Sequence, residues 1–109
     1  MLQIVYNNRD FVAINKPHNL LVHKTSMAKD IQECALQLLR DQLGYPVYPV
    51  HRLDRKTGGI LLFGKSRKAL TLISNQFQSR TVQKSYLAIV RGLIKNKGVI
   101  ELSSKKYIW

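Results

Sequence analysis

The stretch His51-Arg52-Leu53-Asp54-Arg55-Lys56-Thr57-Gly58-Gly59-Ile60-Leu61-Leu62-Phe63 sets two kinds of chemistry end to end. Its second half, from Gly59 to Phe63, is a short unbroken apolar run, the pattern of a strand buried in a sheet. Its first half is a loop crowded with charge. Val47-Tyr48-Pro49-Val50 precedes it and reads as extended chain, because a residue before proline is pushed out of the helical region. The charged loop is therefore held between two elements of the same sheet.

The rest of the chain extends that sheet in both directions. Downstream, Ser66 can cap a helix through about Gln78, with Ala69, Leu70, Ile73 and Phe77 on one face. Val82 to Val90 is the longest strand candidate. Period two puts Lys84, Tyr86, Ala88 and Val90 on one face and Ser85, Leu87 and Ile89 on the other, and Gly92 stops it. Gly98 to Leu102 starts a further strand. Upstream, residues 30–42 read as a helix, with Asp30 as N-cap and Glu33 completing a capping-box pair. Ile31, Cys34, Ala35, Leu38 and Leu39 form its apolar stripe and Gly44 ends it. Cys34 lies inside the stripe, where a thiol is a buried, inert group rather than a nucleophile. Residues 2–6 and 11–15 flank Asn7-Asn8-Arg9-Asp10 as a hairpin, and Pro17 ends its second strand for want of a ladder donor. Strands and helices mix without strict βαβ alternation, which indicates an α+β class.

Composition bounds the partners. The chain has 109 residues with 18 Lys+Arg against 6 Asp+Glu, a net charge of +12, and 45% hydrophobic residues. That apolar content excludes wholesale disorder and suits one domain, 1–109, with a thin core. The charge favours a polyanion, by steering and counterion release. No run approaches the roughly 20 apolar residues of a spanning helix, and Met1 to Asp10 lacks the basic start of a signal peptide, so no membrane partner is expected. A single Cys forms no internal disulfide, which fits a reduced, cytoplasmic setting. His18, His23 and His51 are scattered, so no metal site is expected.

Asp54 needs a reason. A carboxylate among Arg52, Arg55 and Lys56 repels the phosphates that its neighbours would attract. It either pairs with a neighbouring Arg or acts as a nucleophile or base whose charge those cations hold. Thr57-Gly58-Gly59 leaves room for the close approach of a backbone or ligand.

HRLDRKTGG followed by ILLFGKS resembles the signature of the RluA-type pseudouridine synthases, H-R-L-D-x-x-T-S-G followed by an apolar strand. Asn15-Lys16-Pro17-His18-Asn19-Leu20-Leu21-Val22-His23 is similar to the family's N-K-P-x-G-x-x-V-H, and Lys84 to Gly92 is similar to its K-x-Y-x-A-x-V-x-G strand. The resemblance implies a mixed, largely antiparallel sheet with flanking helices, of which this chain is the N-terminal half. It implies isomerisation of uridine to its C-glycoside. The N-glycosidic bond breaks, the base turns, and a carbon–carbon bond forms with no net use of electrons, water or phosphate, so no cofactor is expected. Asp54 matches the catalytic carboxylate and Tyr86 the active-site tyrosine. Arg52 matches the arginine that fills the space left by a flipped base. Arg55, Lys56, Lys16, Lys65 and Lys84 are candidates for phosphate contacts, and His51 and Thr57 for bracing the loop. The implied partner is RNA, tRNA at a T-stem uridine first and rRNA second. Gly58 stands where the family has Ser and Asn19 where it has Gly, the latter mild because Asn tolerates positive φ. No counterpart of the family's later H-Q-I-R-type segment follows Gly92, and the tail from Ser103 to Trp109 matches no family motif. The chain alone is therefore expected to be weakly active or inactive, and to self-associate through an unpaired sheet edge. The alternative from another class is a non-catalytic basic RNA-binding module.

Overall fold

The computed structural model describes residues 1–24 and 33–93, and the backbone of 99–102 and 105–108. Eight elements follow in chain order: β1 (Gln3–Asn7), β2 (Phe11–Lys16), α1 (Ala35–Leu43), β3 (Tyr48–Pro49), β4 (Gly59–Gly64), α2 (Arg67–Gln78), β5 (Val99–Leu102) and β6 (Lys105–Ile108). Four strands form an antiparallel sheet in the order β1-β2-β4-β3, and β5 pairs with β6 as a separate antiparallel hairpin.

The hairpin of β1 and β2 is closed by Asn8. Its side-chain oxygen accepts from the N–H groups of Asp10 at 2.9 Å and Phe11 at 2.7 Å, the self-bonding that makes Asn a turn residue. Across β2 and β4 the register sets Val12 opposite Phe63 and Ile14 opposite Leu61, and all four are fully buried. Ala35 and Leu39 of α1 pack onto this layer with Leu2, Val22, Val47 and Leu53, forming the core. The Gln42 amide ties the chain start to α1, accepting from Leu2 N–H at 2.8 Å and donating to Leu2 O at 3.0 Å.

Both helices end as their sequences indicate, but one begins later. Ser66 caps α2, its hydroxyl accepting from Ala69 N–H at 3.1 Å, and Gly44 ends α1 in the left-handed conformation with its N–H on Arg40 O. The expected start of α1 at Asp30 lies outside the described residues, as does Ile31, and Glu33 precedes the helix. No side chain among the described residues caps it. Its first N–H groups, on Ala35 and Leu36, donate instead to the carbonyls of Leu21 and Val22 at 2.7 and 2.9 Å. A backbone segment far away in sequence does the work of a cap. Cys34 is buried, in keeping with its place in the apolar stripe.

The strand expected over 82–90 does not form. These residues pair with no strand among the described ones, and Leu87 and Ile89 are each 100% exposed. The alternating pattern is that of a strand, but a strand exists only where a neighbour completes its ladder.

Candidate active site

The charged loop is anchored at both ends and in the middle. At its start, Val50 N–H donates to Leu62 O at 3.0 Å. One residue on, the ladder passes to a side chain, with His51 Nε2 accepting from Leu62 N–H at 3.1 Å. The same ring stacks on Phe77 of α2, with centroids 5.1 Å apart and planes 18° apart. His51 is thus clamped between sheet and helix as a neutral acceptor. Burial pushes its pKa below the usual 6.5 and the Lys84 charge adds to this, against the raising effect of a hydrogen bond with the Arg52 backbone. In the middle, Leu53 is buried in the core, while Arg52 and Asp54 on either side of it are exposed.

The far end is held from below by Lys16. Val12, Ile14 and Lys16 share one face of β2, so the strand's alternation carries the lysine to the core side, where it is 1% exposed. Its ammonium has three N–H donors, and three carbonyls receive them: Leu20 O at 2.6 Å, Pro17 O at 3.1 Å and Arg55 O at 3.1 Å. Burial lowers its pKa, while the three carbonyls favour the ammonium form. Asn19 N–H reaches the same Arg55 carbonyl at 2.8 Å, and Asn19 adopts a left-handed φ of 71° to do so. Thr57 N–H closes the turn onto Asp54 O at 2.9 Å. Gly58 lies against the 16–18 backbone, where a Cβ would sit 3.2 Å from Lys16 O. The close approach read from Thr57-Gly58-Gly59 is therefore that of a neighbouring backbone.

These ties present Asp54 in a shallow open cleft of about 180 Å³, lined by Leu21, Val22, His23, Arg52, Leu53, Asp54 and Arg55. Among the described residues, no cation lies within ion-pair distance of the Asp54 carboxylate and no hydrogen bond engages it. Of the two readings of this carboxylate, pairing with a neighbouring Arg is not the one adopted. Arg52 and Arg55 line the cleft with it, while Lys56 is exposed on the adjoining turn.

Other expected site residues lie elsewhere. Lys16, expected as a phosphate contact, is buried with every donor used, so that role is corrected to an internal tie. Tyr86 is 62% exposed, outside any strand, and does not line the cleft. Lys84 stands 5.7 Å over the Phe77 ring, behind the loop. Lys65 lies at the opposite end of β4, over the ring of Tyr45. Two contributors were missed in the sequence. Phe77 was read only as a core position, and it supports His51. His23 ends the N-K-P-type motif and lines the cleft, its buried Nδ1 without a partner among the described residues.

The chain matches the family described as RNA pseudouridylate synthase over residues 10–108, so the tail read as outside the family lies almost wholly within the match. It is 45% identical over 104 residues to the tRNA pseudouridine synthase C of Pasteurella multocida, covering 95% of this chain and 43% of that protein. The Haemophilus influenzae protein of the same name is 45% identical over 105 residues, covering 96% and 44%. The solved structure of human RNA pseudouridylate synthase domain containing 1 superposes with a TM-score of 0.76 at 29% identity, over 91% of this chain and 37% of that one. The chain thus spans less than half the length of these relatives.

Proposed function

Because this chain belongs to the RNA pseudouridylate synthase family, we propose that it is the portion of a tRNA pseudouridine synthase that presents the catalytic carboxylate. The observation that carries this reading is Asp54, a carboxylate with no ion-pair or hydrogen-bond partner among the described residues, in a cleft that Arg52 and Arg55 also line. A structural aspartate would be neutralised by the guanidinium on either side. This one is left accessible in the cleft, where it can attack or stabilise the ribose carbon as the glycosidic bond breaks. Arg52 and Arg55 supply positive potential where the phosphates flanking a flipped uridine would lie. Arg52 is planar and exposed at the rim, able to stack where the base has left.

The relatives named for tRNA support tRNA as the substrate, and the +12 charge supports a polyanion. The exposed position of Tyr86 favours a second statement about this chain by itself: it binds RNA electrostatically and does not turn over, because the tyrosine expected at the base is not at the cleft.

The test is pseudouridine formation in a tRNA transcript, read by chemical labelling and primer stops, with the chain joined to the remainder of a relative's catalytic domain. Asp54→Asn should abolish the product while leaving salt-dependent RNA affinity in place. Full activity in that variant would remove Asp54 from the chemistry.

A further inference from the structure

We propose that Arg80, together with Lys84, grips the sugar-phosphate backbone of the RNA outside the cleft, at the C-terminal end of α2, while a uridine of the same RNA is flipped toward Asp54. This rests on the reading of the chain as the Asp54-bearing portion of an RNA-modifying enzyme, and adds a positioning residue to it.

Arg80 occupies a backbone position that does not suit it. α2 ends in a closed turn, with Thr81 N–H donating to Gln76 O at 3.1 Å and Arg80 N–H to Phe77 O at 3.3 Å. This pattern puts the residue after the cap in the left-handed region, where glycine is the usual choice. Arg80 takes it with φ 60°. The hydroxyls of Ser79 and Thr81 also donate to Gln76 O, at 3.2 and 3.1 Å, so the turn is fixed from several sides. The same chain ends α1 with Gly44, at φ 80°. Among the described residues, Asn19 is the one other non-glycine at positive φ, and Asn is eased there by its short polar side chain. Arginine has no such relief, and residues held in this region against their preference cluster at functional sites. The helix dipole favours a cation at this end, yet it acts on any nearby positive charge and does not require one in the left-handed position.

The side chain is unused within the described residues. Arg80 is exposed, and its guanidinium makes no hydrogen bond or ion pair among them. No acidic residue occurs between Asp54 and Glu101, so the flanking sequence offers no carboxylate. Lys84 shares Phe77 as a neighbour. Its ammonium lies 5.7 Å from the ring of the residue whose carbonyl Arg80 N–H meets, and its charge opposes protonation of His51. Phe77 in turn stacks on His51, next to Arg52 at the cleft. Arg52, Lys84 and Arg80 are therefore grouped about one His51–Phe77 stack, from the cleft to the end of α2. Uncompensated cations in this arrangement fit successive phosphates, and the planar fork of arginine can hold one phosphate through two hydrogen bonds. Flipping a base out of its stack costs free energy, which contacts on the flanking backbone offset.

The test uses the full 109-residue chain and a tRNA transcript, with binding followed by fluorescence anisotropy over a range of salt and stability by urea unfolding. Arg80→Gly should hold or raise the urea midpoint, because glycine relieves the left-handed strain. It should nevertheless weaken RNA binding about three- to tenfold, and lower the slope of log affinity against log salt by roughly 0.7–0.9, the share of one phosphate. Arg80→Asn, neutral and tolerant of the same backbone, should do likewise, and Arg80→Lys should keep the slope. Arg9→Asn removes the same charge from the hairpin turn at the opposite end of the sheet, and should change affinity by less than about twofold. Unchanged affinity and slope in Arg80→Gly would overturn the proposal, as would an equal loss in Arg9→Asn, which would make the effect one of net charge. So would a loss of affinity that comes only with a fallen urea midpoint in both neutral variants, or a chain with no salt-dependent RNA affinity. Pseudouridine formation is scored separately, in the joined protein of the Asp54→Asn test. Full activity of Asp54→Asn beside weakened binding in Arg80→Gly keeps the grip and removes the catalytic reading, and the converse pair of results does the reverse.

Discussion

Replacing Lys16 by Met separates an internal tie from an RNA contact. The two side chains are similar in length, so the perturbation is the loss of the ammonium and its three donors. Arg55 O keeps its bond from Asn19 N–H, so its loss is partial. Pro17 is exposed, and its carbonyl can turn to water. Leu20 O, the acceptor of the shortest bond at 2.6 Å, is half-buried and bears most of the cost. An orphaned buried acceptor costs about 1–3 kcal/mol, and the weakened bond at Arg55 adds about 1 kcal/mol. Relief from burying a charge offsets part of this, since desolvating an ion is itself unfavourable. The net expectation is a loss of about 2 kcal/mol, a large share of the stability of a small domain. In urea the midpoint should fall by about 1–2 M with the slope unchanged. Hydrogen exchange should show the Asn19 and Thr57 amides opening first, because the 17–20 and 54–57 loops lose their common anchor. Lys16→Arg should also destabilise, since a guanidinium does not fit a site 1% exposed, whereas at a phosphate contact Arg would substitute well. Unchanged urea midpoints in both variants, with RNA affinity lost in Lys16→Met and kept in Lys16→Arg, would refute the tie.

Other outcomes follow from the same geometry. His51 is held neutral, with a folded pKa below 6.5, so its contribution is fully present above about pH 6.5 and is lost as pH falls through the folded value; thermal melts between pH 7.5 and pH 5 should show this fall, and His51→Phe should flatten it. Asp54→Asn should change stability by no more than about 0.5 kcal/mol in the same melts, because the carboxylate makes no ion pair or hydrogen bond among the described residues. Ser66→Ala should cost about 1 kcal/mol in urea unfolding, by leaving Ala69 N–H without its cap at 3.1 Å.

Much of the fold was legible because it is locally encoded. Asn8 bonds its own turn, Ser66 caps its own helix and Gly44 ends another within a few residues of chain. The start of α1 was not legible, because the groups that receive its first N–H donors belong to Leu21 and Val22. At the site, Asp54 stood out as a carboxylate set among cations in a loop between strands. The burial of Lys16 was partly legible, since Val12, Ile14 and Lys16 fall on one face at period two. Reading the lysine as a surface charge followed residue type over position. That its ammonium would meet a carbonyl 39 positions away could not be read from either.

The sequence by itself determined where the chain turns, which runs are apolar and which loop bears an isolated carboxylate, because these depend on neighbours a few residues apart. Tertiary structure decided what each charge does and which apolar run becomes a strand. Lys16 and Lys84 look alike as letters, yet one saturates three carbonyls in the core and the other stands over an aromatic ring at the surface. Val12 to Ile14 and Leu87 to Ile89 are both strand-like, yet only the first has partners among the described residues. A ladder bond needs two backbones and a buried charge needs acceptors, and both are properties of what the fold brings near.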